Sequence, residues 1–98
     1  MTLQSIRVIK SFCHKGLKRL FETGERSGVS ADLAGRLRRQ LDVLNRTRST
    51  TDLNLPGYRL HREGGRAGTW SVSASHNWCV TFTFEGEDAF NVDLEHYH

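Results

Sequence analysis

From Ser5 to Phe12 the chain is rich in β-branched residues, with Ile6, Val8 and Lys10 alternating with Arg7, Ile9 and Ser11. That pattern predicts a first strand. The period then changes. Leu17, Leu20 and Phe21 stand at i, i+3 and i+4, so His14 to Thr23 reads as a helix, with Gly24 as its C-cap. Ser30 is a suitable N-cap for a second helix, and Asp32 lies in its first turn. Leu33, Leu37, Leu41 and Leu44 carry that helix to about Asn45, while Arg36, Arg38, Arg39 and Arg46 point mostly elsewhere. Two helices joined by about six residues are expected to pack as an antiparallel pair on a sheet.

Arg48 to Gly57 is a polar connection that ends in the turn signal Pro56-Gly57. Beyond it the period is two. Tyr58 to His61 reads as a short strand, and Arg62 to Gly68, with three glycines, as a mobile loop. Trp70, Val72 and Ala74 alternate with Ser71, Ser73 and Ser75, and His76-Asn77 makes a tight turn. Trp78, Val80, Phe82 and Phe84 alternate with Cys79, Thr81 and Thr83; after a turn, Phe90, Val92 and Leu94 alternate with Asn91, Asp93 and Glu95. Each strand thus has an apolar face for the core and a polar face for solvent or ligand. The sum is an α+β domain of order β-α-α-β-β-β, an antiparallel sheet with two helices packed on one face.

At 98 residues and 11.2 kDa the chain makes one domain, 1–98. A charged fraction of 26% and a mean hydropathy of −0.53 describe a globular, non-membrane protein. Met1 to Lys10 lacks the apolar core of a secretory signal, so a cytoplasmic location is expected. Cys13 and Cys79 form no CxxC and read as reduced thiols. The net charge of +3 conceals an asymmetry. All 14 Lys and Arg lie in residues 1–70, against six acids, whereas residues 71–98 hold five acids and no Lys or Arg. Such a basic region suits a polyanion such as nucleic acid, or is a solvated helix face.

Cys79, Thr81, Thr83, Asn91, Asp93, Glu95 and Tyr97 share the polar face by alternation. His61 ends the second strand beside a loop with Arg62 and Arg66, and the chain closes on His96-Tyr97-His98. Histidine transfers protons near neutral pH, and arginine clamps phosphate at two points. Cleaving RNA without a metal takes a base for the 2′-OH, an acid for the 5′-oxygen and a cation for the phosphorane. His96 and His98, at i and i+2, can face one metal, but no third ligand is evident and no metal or other cofactor is expected. Trp70 and Trp78 read as core.

Four stretches resemble the HigB toxins of the RelE/ParE superfamily. Val8-Ile9-Lys10-Ser11-Phe12 with His14-Lys15-Gly16-Leu17 is similar to the family's opening. Leu60-His61 with Gly65, Arg66, Gly68, Trp70 and Ser71 resembles its His-Pro-Leu-x-Gly-x-Arg-x-Gly-x-Trp-Ser stretch. Asn77-Trp78, Val80, Phe82 and Phe84 resemble Asn-Trp-Arg-Ile-x-Phe-x-Phe, and Tyr97-His98 resembles an Asp-Tyr-His ending. Met1 to Arg7 precedes the family's usual start.

The resemblance implies a small RelE-like domain and a ribosome-dependent mRNA endoribonuclease that works without metal and stops translation. It also implies a HigA-type helix-turn-helix antitoxin, through which alone the protein meets operator DNA. His61 matches the catalytic histidine of the family, Tyr97 the residue that stacks on or orients the nucleotide, and His98 a proton-transfer group. Three departures stand out. Cys79 replaces an arginine, His96 replaces an aspartate, and Arg62-Glu63-Gly64 replaces Pro-Leu-Lys. Arg62 or Arg66 is the expected substitute cation. The alternative is a catalytically weakened homologue that binds the antitoxin and tunes transcription. Tyr97-His98 and His61 argue against a third possibility, gyrase poisoning of the ParE type.

Overall fold

The structure is a computed structural model and describes residues 8–96. Helix α1 spans Lys15–Thr23 and helix α2 Ala31–Arg46; strands β1 to β4 span His61–Arg62, Thr69–Ser73, Trp78–Glu85 and Asp88–His96. The strands form one antiparallel sheet in the order β1-β2-β3-β4.

Helix α1 begins where His14 caps it: its Nδ1 accepts the Leu17 N–H at 3.1 Å. It ends as expected at Gly24, whose φ of 81° lets its N–H reach Leu20 O. Ser30 caps α2 through its backbone carbonyl alone, without the side-chain bond expected of a serine. Leu17 and Leu20 of α1, with Leu33, Leu37, Leu41 and Leu44 of α2, bury their side chains against Val72, Val80 and Phe82 of the sheet. Burying side chains of this size contributes about 1.5–3 kcal/mol each, so this one interface dominates the core. Trp70 and Trp78 are half-buried against it.

Four local expectations change. The first strand, read over 5–12, lies partly outside the described residues; from Val8 it is two isolated bridges, Ile9–Ala89 and Phe12–Val92, and it runs parallel to β4. Asn91, an extra residue in β4 at φ 55°, falls between these two bridges and breaks the β3–β4 ladder between the Thr81–Asp93 and Thr83–Phe90 pairs. The same bulge turns Phe90 off the core, so Ala89 and Val92 are the buried pair. The polar connection conceals a 3₁₀ turn, Thr50–Leu53, closed by a Ser49–Asp52 capping box that buries Leu53. The strand read over 58–61 starts only at His61, because Arg59 has a φ of 50°.

Among the described residues no helix is long and apolar enough to cross a membrane.

Candidate active site

The helices cover one face of the sheet. The other face is built by the register. His61 pairs with Ser71, Ser71 with Thr81, and Thr81 with Asp93, so these four side chains form one row across all four strands. The adjacent row is Ser73, Cys79 and Glu95. This is the polar face expected from alternation, and His61 stands exposed at its edge.

The loop after β1 folds back over these rows. Glu63 N–H donates to Thr69 O at 2.8 Å, Arg66 N–H to Glu63 O at 3.1 Å, and Thr69 N–H to Arg66 O at 3.2 Å, so the segment read as a mobile loop is a hydrogen-bonded turn. It carries Arg66 to Glu95 in a two-point ion pair, Nη1–Oε2 at 3.0 Å and Nη2–Oε1 at 3.3 Å. Thr81 Oγ1 donates to the same Glu95 Oε2 at 2.5 Å. Glu63 approaches Arg66 at 3.9 Å and accepts from Ser71 Oγ at 2.9 Å. The hydrogen bonds from Arg66 to Glu95 hold its guanidinium charged above its usual range.

Cys79 lies buried in this network, paired across strands with Glu95. Burial, and then the carboxylates of Glu95 and Glu63, push its thiol up to about 11, against a smaller pull from Arg66. It is therefore a neutral group at physiological pH. It supplies no charge to a phosphate and is a poor nucleophile.

Of the expected site residues, the structure brings His61, Arg66 and Cys79 onto one face. Arg62 pairs with Trp70, and so belongs to the opposite face from His61. His96 pairs with Trp78 and meets its ring edge-on, centroids 4.9 Å apart, again on the opposite face from Cys79 and Glu95. Strand alternation alone separates both from the His61 row. Tyr97 and His98 lie outside the described residues. Among the described residues no three His, Cys, Asp or Glu side chains converge as a metal site.

The reading along the chain missed the part played by Glu63 and Glu95. Glu95 was legible as a neighbour of Cys79 by alternation, but nothing local signals that a glycine-rich loop returns an arginine to it.

Two comparisons with known proteins bear on the chain as a whole. A family model described as RelE-like toxin of type II toxin–antitoxin system HigB matches residues 10–98. A protein named Endoribonuclease HigB, from Proteus vulgaris, is 42% identical over 92 residues, which cover 93% of this chain and all of that one.

Proposed function

The chain belongs to the HigB-like family of type II toxins, and from that premise we propose that it is an endoribonuclease that cleaves mRNA on the ribosome in the cytoplasm. Membership of a type II system gives it an antitoxin partner; in this reading that partner is a HigA-type helix-turn-helix protein, which restrains the toxin and carries it to operator DNA. The observation that carries the proposal is the open sheet face on which His61, an acid–base group, stands with Arg66, a phosphate-binding one.

The chemistry needs no more than side chains. A base takes the proton of a ribose 2′-OH, the 2′-oxygen attacks the adjacent phosphorus, and an acid returns a proton to the departing 5′-oxygen. The products are a 2′,3′-cyclic phosphate and a free 5′-OH, and the proton count balances. His61 and His98 are the proton-transfer pair in this reading, and Tyr97 orients the nucleotide. Positioned acid–base groups contribute roughly 10²–10⁴ in rate. Arg66 takes the negative charge that develops on the phosphorane.

Primer extension on an mRNA in a purified translation system tests this. Ribosome-dependent breaks are expected with the unaltered chain, and none with His61→Ala or without Tyr97-His98. Undiminished cleavage by both variants would overturn the site assignment.

One observation favours a second reading. Cys79 is neutral, and Arg66, the cation beside it among the described residues, is already engaged by Glu95. A toxin scaffold with weakened chemistry, kept for antitoxin binding, predicts no breaks until the pair Cys79→Arg, His96→Asp is introduced.

A further inference from the structure

Beside His61 lies an open groove of about 850 Å³, within the size range of ligand sites and not lined by Arg66. β1 covers only the Trp70–Ser71 end of β2, and the groove opens along the remaining edge, between residues 59–61 and the β2–β3 turn. Arg36, Arg59, His61 and His76 line it, over a floor that includes Ser71 and Ser73. No Asp or Glu is among the described residues that line it.

The charge balance distinguishes this side from the other. Arg66 is cancelled by Glu95 and approached by Glu63. Arg36 is held by neutral acceptors instead: its Nη2 donates to Gly57 O at 3.1 Å and to Ser73 O at 3.4 Å. Its buried Nε has no partner among the described residues. Arg59 is exposed, and its φ of 50° is a conformation non-glycine residues seldom adopt. Among the described residues neither Arg36 nor Arg59 pairs with a carboxylate, and the nearby Glu63 is engaged by the Ser71 hydroxyl and approached by Arg66; two such charges favour an anion where a solvated helix face would not.

We infer that this groove is a phosphate subsite, which holds the RNA strand next to the bond cleaved beside His61, with Arg59 and Arg36 as its cations. The inference rests on the endoribonuclease reading for the identity of the strand.

The full chain, isotopically labelled, is titrated at low salt with a 2′-O-methyl RNA hexanucleotide and followed by amide NMR. The methyl group blocks attack by the 2′-oxygen, so binding is read without cleavage. Shifts are expected at Arg59, Leu60, Ser75 and His76. Asparagine tolerates a positive φ, so Arg59→Asn removes the charge and keeps the bend. It should weaken binding roughly fivefold and lower the salt slope by about 0.7, the loss of one single-strand phosphate contact. Arg36→Lys, which keeps a charge but not the fork, should weaken binding less. Shifts confined to Arg38 and Arg39 of α2, or no shift at millimolar RNA, would overturn the groove. Cleavage by the unaltered chain without groove shifts removes the groove alone. Groove shifts without any cleavage on ribosomes remove the endoribonuclease reading and leave the subsite.

Discussion

Arg66 and Glu95 meet in a two-point ion pair directly beside Cys79, the cross-strand neighbour of Glu95. An arginine 13 positions earlier in the chain thus delivers a guanidinium to the strand pair at which the resemblance places the missing one. The pair is half-exposed, so its value lies in placing the charge and less in stability.

Arg66→Ala should lower mRNA cleavage by about 10²–10³, the usual loss for one electrostatic contact to a developing charge. Cys79→Arg in the same chain should restore part of it, because the new guanidinium starts opposite the same carboxylate. Cleavage bands in primer extension give the answer; an Arg66→Ala chain as active as its parent would remove Arg66 from the reaction.

The two cysteines should differ in reactivity. Cys13 is exposed, and Cys79 is buried with its thiol raised to about 11. The raised value favours the protonated form, so at pH 8 only about one Cys79 in a thousand is thiolate. Iodoacetamide should label Cys13 well before Cys79, as followed by mass spectrometry of tryptic peptides. Equal rates at the two sites would contradict the burial of Cys79.

His14→Ala should destabilise the fold by about 1 kcal/mol through loss of the α1 cap, and His14→Asp by less, since aspartate caps in the same way. Urea unfolding resolves the two. Equal loss in both variants would mean that His14 acts through packing instead.

Gly16→Ala should be among the most damaging single changes. A Cβ there would meet the Gly28 carbonyl oxygen at 2.2 Å, so α1 must move away from the loop that leads into α2. A cost of about 1–3 kcal/mol is expected in thermal or urea melts, the range for overpacking a close contact. An unchanged midpoint would show that the two segments separate freely.

Much of this protein was legible without tertiary information. Leu33, Leu37, Leu41 and Leu44 announced a helix with one buried side, because 3.6-residue spacing puts them on one stripe. Trp78, Val80 and Phe82 against Cys79, Thr81 and Thr83 announced a two-faced strand, because side chains alternate. Those periodicities determined the helix pair, the sheet and its polar face, and His61 was read at the end of the second strand beside the glycine-rich loop. What they left open depended on contacts distant in sequence. Asn91 reverses the alternation in β4 because an extra residue opposes Phe82, and this turns Phe90 out and Ala89 in. Arg62 and Arg66 were equal candidates on the page; register sends Arg62 to the side of Trp70, and a turn closed by Glu63 and Thr69 brings Arg66 to Glu95. A loop's path is set by which partners its ends and side chains find, and the partner of the Arg66 side chain lies on β4, about thirty residues further along the chain. Local pattern therefore determined which face is polar, and only the tertiary structure decided which cation stands on it.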